Sequence, residues 1–258
     1  MKEYLVTGES LPEVYHKALY LLNKHGDLCE CRDWSTTQKE LSMTMVVINP
    51  FKEPMISKCF IGGPEDLQQY TMEMLDGILD FEVEKGLWEY TYHQRYADQY
   101  QFIIDELRRN PTSRRAVMDI RDKAADMYSD DPACWQQAQY FIRDGKLHCK
   151  VLFRSNDACK ATFMNAFALI MLQLRIAGTL GVEVGTYTHR ANSFHCYERD
   201  FAVLDSYCKR FESAESPDDL AYYYVDEWQE DMAEAIPRIL QKVEELETHD
   251  IKEDRTAR

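Results

Sequence analysis

From Lys160 to Thr179 the chain is at its most apolar, with FMNAFALIMLQLRIAGTL over residues 163–180. A run of that length without strand-like alternation predicts a central helix buried on most sides, closed by Gly178 or Gly181. Such a helix has to be wrapped by other elements, and 258 residues, 45% of them hydrophobic, suffice for one large core. Asn165 stands out inside it. A buried amide left without hydrogen bonds costs about 1–3 kcal/mol, so Asn165 either caps local structure or reads the edge of a ligand.

The flanking segments supply the wrapping. Ser10 reads as the N-cap of a helix over Leu11–Lys24, with Gly26 as its stop. SMTMVVI (42–48) reads as a strand ending at Asn49-Pro50. Helices are expected over Leu67–Leu75 and Gln99–Arg109, the second broken at Asn110-Pro111. Strands follow over Ala116–Ile120, Gln136–Arg143 and Leu147–Phe153, the last two joined through Asp144-Gly145 as a hairpin. Val182–Tyr187 adds a strand and Tyr197–Phe211 a helix. From about Ser213 the chain is acidic, with a helical segment near Asp226–Glu247 and a frayed end. No repeat, low-complexity linker or boundary interrupts the pattern. One domain over 1–258 is therefore expected, of α+β class, with helices on a predominantly antiparallel sheet.

Composition narrows the partners. Lys and Arg total 30 against 45 Asp and Glu, a net charge of -15, which leaves no electrostatic footprint for a nucleic-acid backbone. The start, MKEYLVTGESLPEVY, lacks a basic and then apolar leader, and no stretch reads as a membrane span, so a cytoplasmic protein is expected. Eight cysteines scattered through core-like segments suit a reducing compartment. All but one read as small buried hydrophobes. Cys29 and Cys31 have no second pair at zinc spacing, and His189 and His195 have no third ligand in register, so no metal is expected. Gly62-Gly63-Pro64 lacks the context of a phosphate loop and reads as a surface turn.

Polar residues in strained places carry the chemistry. Arg114-Arg115 sits between a helix end and a strand start, and Arg154 ends the apolar run VLF. Single arginines at element ends are often merely solvated. SFHCY (193–197) puts His195 and Tyr197 two apart, on one face of a strand.

These residues fall into ordered motifs: EYTYHQRY (89–96), PTSRR (111–115), PAC (132–134), DGKLHCKVLFRSND (144–157), FMN (163–165), GVEVG (181–185) and HRANSFHCY (189–197). Counted from Arg114, Cys134 lies 20 residues on, Arg154 40, Asn165 51 and His195 81. In motif and interval the segment resembles the thymidylate synthase family, together with the related pyrimidine nucleotide hydroxymethylases. The likeness covers roughly residues 85–210 well.

The resemblance implies a homodimer acting on a pyrimidine nucleoside monophosphate, with 5,10-methylenetetrahydrofolate as co-substrate. It implies Cys134 as the thiolate that adds to C6 of the ring, making C5 nucleophilic. Arg154 beside it would lower the thiol pKa. Arg154 and Ser155 would also hold the phosphate, with Arg114 and Arg115 reaching it from the other subunit. Arginine suits that task because its planar fork matches phosphate oxygens. Tyr92 falls near the sulfur, His195 and Tyr197 on the sugar hydroxyl, Asp157 on the folate side, and Arg32, in CRDWSTT, on the phosphate. Asn165 falls on the pyrimidine edge. An amide donates to O4 and accepts from N3-H, so its identity favours dUMP over dCMP.

The sequence also departs from the family pattern. Trp135 stands where His is usual after the nucleophile, Ala133 for Pro, and His93 for Gly. The middle Trp-bearing folate segment and the short apolar closing tail are not recognisable, and the chain ends in HDIKEDRTAR. For the ring-activating glutamate, Glu65 and Glu73 both remain candidates. Three readings follow: dUMP methylation to dTMP, hydroxymethylation of dUMP, dCMP or CMP when water reaches the exocyclic methylene, and a nucleotide-binding relative without turnover. Ribose against deoxyribose, and a folate against a pterin carrier, stay open.

Overall fold

The expected central helix is present in the computed structural model, which describes residues 1–256, with side chains through Thr248. It spans Thr162–Leu180 and stops at Gly181, whose φ of 69° is left-handed. Phe163, Phe167, Leu169, Ile170, Leu172 and Ile176 are all at most 2% exposed, each burial contributing about 1.5–3 kcal/mol before entropy is charged. By length and apolarity this helix could cross a membrane, yet it lies mostly inside the protein.

The chain opens with strand β1 (Glu3–Gly8), helix α1 (Leu11–His25) and strands β2 (Asp27–Cys31), β3 (Thr36–Val47) and β4 (Ile56–Ser57). Helices α2 (Pro64–Asp76), α3 (Phe81–Glu84) and α4 (Tyr92–Arg109) follow. Next come β5 (Val117–Asp119), the short α5 (Lys123–Asp126), and the hairpin β6 (Trp135–Arg143) and β7 (Lys146–Asp157). The central helix is α6, followed by β8 (Glu183–Tyr197), α7 (Phe201–Ser213), β9 (Ala221–Tyr222) and α8 (Gln229–Thr256). Seven strands make one sheet in the order β1-β3-β8-β7-β6-β5, with β2 also on β3, while β4 and β9 pair separately.

The sheet is mixed. β1 lies parallel to β3 and β7 parallel to β8, while β2–β3, β3–β8, β5–β6 and β6–β7 are antiparallel. Along β7, Leu147, Cys149, Val151 and Phe153 are buried under the helices, while His148, Lys150 and Leu152 turn to the other, more open face.

Several elements extend beyond their sequence expectation, for one reason: polar alternation looks like loop until both edges are paired. The strand expected at 42–48 is the second half of β3, whose TTQKE start is held between β2 and β8. The strand expected to end at Tyr187 continues through the polar THRANSFHCY to Tyr197. The helix expected from Tyr197 begins instead at Phe201. β1 and β2 had no sequence signal strong enough to predict them. Helix α1, by contrast, has the expected Ser10 cap and Gly26 stop, and the turn Asp144-Gly145 has the positive φ values of 52° and 74° that a tight hairpin needs. Gly62-Gly63-Pro64 serves to start α2, with Gly63 at the N-cap and Pro64 in the first turn. The expected frayed, polar end lies at 249–258, outside the described side chains.

Gly77 closes α2 with a φ of 64°, and a Cβ there would fall 2.2 Å from His93 Nδ1. His93 in turn is hydrogen-bonded to Asp80 at 2.6 Å. The departure at position 93 is thus absorbed into the α2–α4 junction.

Candidate active site

Strand directions decide what meets what. Because β6 runs against β7 and β7 runs with β8, the start of β6 and the ends of β7 and β8 share one end of the sheet. Cys134, Arg154, Ser155, Asp157, His195 and Tyr197 therefore converge there. β3 runs against β8, so its start and Arg32 in the preceding turn lie at the same end. α6 leaves from that end, which puts Asn165 in its first turn. Arg114 and Arg115 do not join them. Tyr140 N–H donates to Ala116 O at 2.9 Å, which sets Arg115 level with Phe141, roughly 20 Å along β6 from Cys134.

Cys134 is held by its neighbours' backbone. Arg154 N–H donates to Cys134 O at 2.8 Å, and its guanidinium donates to Ala133 O at 3.1 Å and Pro132 O at 2.5 Å. Trp135 N–H donates to Tyr92 Oη at 3.3 Å. The Trp135 indole is fully buried, edge-on to Tyr92 and Tyr96, with Nε1 donating to Gln137 O. The Trp that departs from the family pattern thus packs into the core next to Cys134. The Cys134 thiol is pushed above its ordinary value, chiefly by burial; Arg154 opposes this and Asp131 adds to it. The expectation of a lowered thiol pKa is corrected accordingly: the guanidinium favours the thiolate, but desolvation outweighs it.

At the ends of β7 and β8, His195 is 4% exposed and edge-on to Tyr197. Its Nδ1 lies 3.4 Å from the hydroxyls of both Ser155 and Ser193. Ser193 donates onward to Glu40 Oε1, and Glu40 lies opposite His195 on β3. His195 Nε2 is buried without a hydrogen-bond partner among the described residues. Burial lowers the His195 pKa, so the ring is neutral near pH 7 and can offer Nε2 as an acceptor. Asp157 Oδ1 accepts from Cys159 N–H and Lys160 N–H, each at 3.0 Å, and so shapes the turn into α6. Arg32 is exposed and paired with Glu30 at 3.2 Å.

His189 belongs to the core rather than to the site. It sits between Tyr187 Oη and Asn156 Oδ1, stacked on Phe153, and burial lowers its pKa to about 3. Among the described residues no three His, Cys, Asp or Glu side chains are grouped to hold a metal. Cys29 and Cys31 are half-buried on β2, unlike the buried Cys59, Cys149, Cys159, Cys196 and Cys208. That corrects the buried reading for those two, which lie on an edge strand.

Beside this sheet end lies a cavity of about 540 Å³, lined among others by Tyr70, Glu73, Trp88, Tyr90, Tyr92 and Asp131. Tyr70 links it to α6, because its hydroxyl donates to Asn165 Oδ1. Burial raises the Glu73 carboxyl above its ordinary value. Glu65 faces elsewhere, ion-paired with Arg238 at 3.1 Å and Lys242 at 2.6 Å on α8. Tyr70, Trp88, Tyr90, Glu40 and Ser193 were not singled out from the sequence. The aromatic density of LWEYTY (87–92) was the available signal for two of them.

The family model described as thymidylate synthase matches residues 64–235, about two thirds of the chain. The chain belongs to the thymidylate synthase family. That match extends past both ends of the 85–210 core and takes in Glu73 and Tyr70. A protein named "Putative thymidylate synthase" from Methanocaldococcus jannaschii is 33% identical over 209 residues, 77% of this chain and 93% of its own length. One of the same name from Methanosarcina acetivorans is 28% identical, over 80% of this chain and 94% of its own. A thymidylate synthase of Bacillus subtilis subsp. natto is 33% identical over 122 residues, covering 47% of this chain and 43% of its own. In structure, the thermostable thymidylate synthase A from Bacillus subtilis superposes with a TM-score of 0.63 at 19% identity, over 78% of this chain and 84% of its own. The shared fold is that of thymidylate synthase, and the family is one of methyltransferase-class enzymes.

Proposed function

We propose that this chain converts dUMP to dTMP, with 5,10-methylenetetrahydrofolate giving up its methylene and a hydride and leaving as dihydrofolate. The observation that carries the reading is the convergence of Cys134, Arg154 and Asn165 at one sheet end. A thiol, a cation suited to phosphate and an amide suited to the edge of uracil, gathered at that end, support a nucleotide site.

Cys134 adds to C6, which makes C5 a carbon nucleophile. Tyr92 Oη already accepts from Trp135 N–H, so its own proton is free to steady the sulfur. Glu73, kept protonated more readily by burial, donates toward the ring carbonyl as negative charge gathers there. Of the two candidate glutamates, only Glu73 faces the cavity. His195 Nε2 and Tyr197 receive the sugar hydroxyl, Ser155 and Arg154 the phosphate, with Arg32 at the rim.

The cavity suits the folate's fused ring. Trp88 and Leu87 offer apolar faces, and Asp131 offers an acceptor for its N–H groups. By the family motif, Asp157 supplies a further acceptor for the folate.

Arg114 and Arg115 cannot reach the site of their own protomer. The half-open sheet face, on which Arg154 falls by alternation with Lys150 and Leu152, supports a homodimer that brings the partner's pair across. The cytoplasmic location expected from the sequence agrees with a nucleotide-synthesis role.

A second reading, hydroxymethylation, is favoured by the exposed Glu89 and Asp131 in the cavity wall, which invite water to the exocyclic methylene. Incubation with dUMP, dCMP or CMP and methylenetetrahydrofolate, followed by mass spectrometry, separates the two. A gain of CH2 on dUMP with dihydrofolate released is expected. A gain of CH2O establishes the hydroxymethylase, and no product from any of the three leaves a binding protein.

A further inference from the structure

We infer that Tyr70 is a positioning residue that sets the substrate specificity of this site by fixing which end of the Asn165 amide faces the pyrimidine. The inference rests on the nucleotide reading above and goes beyond it. An unconstrained Asn side chain can present either its carbonyl or its NH2 to a ligand, and the two ends recognise opposite partners. The NH2 donates to the 4-oxo group of uracil, whereas the carbonyl accepts from the 4-amino group of cytosine. Asn165 alone therefore does not discriminate; its orientation does.

Three features fix that orientation. Tyr70 Oη donates to Asn165 Oδ1, and burial raises the Tyr70 pKa, so the phenol keeps the proton it donates. Asn165 Nδ2 has no hydrogen-bond partner among the described residues and is not sealed from solvent. Its first-turn position is rigid, with Asn165 N–H bonded to Ala161 O at 2.9 Å. With Oδ1 engaged by Tyr70, the side chain, 5% exposed, turns its donor end toward the 4-position of the ligand. A 4-oxo pyrimidine meets a donor there, while a 4-amino pyrimidine would set donor against donor and leave both unpaired. The second lone pair of Oδ1 remains for N3-H.

Tyr70 reaches into the site from α2, whereas Asn165 belongs to α6, so the specificity of the amide depends on packing between two helices. Removing only the hydroxyl frees the amide to rotate without changing the shape of the ring that holds the helices apart.

The test is equilibrium binding, without folate, of dUMP, dCMP and the 2-pyrimidinone deoxynucleotide that lacks any 4-substituent, to the intact protein and to Tyr70→Phe. The wild type is expected to prefer dUMP over both others. In Y70F the dUMP/dCMP preference should narrow by about tenfold, the equivalent of one lost hydrogen bond. Affinity for the 2-pyrimidinone nucleotide should stay within about twofold. An equal fall for all three ligands would mean that Tyr70 only supports the fold and would overturn the inference, as would an unchanged dUMP/dCMP ratio. Wild-type protein that binds none of the three would instead sink the nucleotide reading itself.

Discussion

Arg154 holds Cys134 from both sides of its own backbone: its N–H binds the Cys134 carbonyl at 2.8 Å, and its guanidinium spans the carbonyls of Ala133 and Pro132. Three consecutive carbonyls, those of Pro132, Ala133 and Cys134, are thus fixed by one residue. The same guanidinium is the cation that partly offsets the cost of a buried thiolate.

Two roles in one side chain give a separable prediction. Arg154→Lys keeps the charge but cannot span two carbonyls and a phosphate with its single ammonium. Turnover should drop about 10²-fold or more, with a weaker grip on nucleotide. Arg154→Gln also loses the charge. Because burial already raises the Cys134 thiol and Arg154 lowers it, the pH profile of alkylation by iodoacetamide should shift to higher pH in R154Q and move less in R154K. Coincident profiles for wild type and R154Q would mean the cation has no hold on the sulfur.

Glu73 offers a pH test with a definite sign. Its folded-state pKa is raised by burial, so the native state favours the protonated form. Its contribution to stability is full below the unfolded-state carboxyl pKa and is lost as pH rises through the folded one. Glu73→Gln should therefore melt no lower than wild type at pH 8, while losing about 10²-fold or more in turnover if the carboxyl delivers a proton. A variant that melts well below wild type at that pH would show that the charged form is the stabilising one.

Trp88 is 45% exposed at the cavity mouth. If it carries the folate ring, Trp88→Ala forfeits one stacking contact, about 0.5–1.5 kcal/mol. The KM for methylenetetrahydrofolate should rise roughly three- to tenfold, with the affinity for dUMP in its absence unchanged. A shift in dUMP affinity alone would move Trp88 to the nucleotide side.

How far the sequence could be read depended on where burial was one-sided. Helix α6, the β6–β7 hairpin and α1 announce themselves because their apolar periodicity and end signals agree. The long β3 and β8 do not, because segments such as TTQKE and THRANSFHCY alternate polar residues that only neighbouring strands explain. The ordered motifs pick out Cys134, Arg154, Asn165 and His195, and one sheet end collects all four. They could not show Tyr70 or Glu40. Those side chains sit on α2 and β3, far away in sequence, and reach the site only through packing. The thiol pKa was misjudged for a related reason: charge partners are visible in a motif, and desolvation is not.

The distant arginines give the most decisive test of assembly. Arg115 is anchored to Glu106 at 3.1 Å on its own protomer and lies roughly 20 Å along β6 from its own Cys134. If a partner uses it, Cys134→Ser and Arg115→Ala chains should each be nearly inactive as homodimers, for different reasons. In a hybrid dimer, the R115A chain supplies an intact Cys134 and the C134S chain supplies an intact Arg115 across the interface. One complete site is then rebuilt. Mixing the two variants under conditions of subunit exchange should restore activity to a sizeable fraction of wild type, with the nucleotide KM of the wild-type site. Full exchange, checked by native mass spectrometry, with no recovered turnover would mean that Arg115 serves only its own protomer.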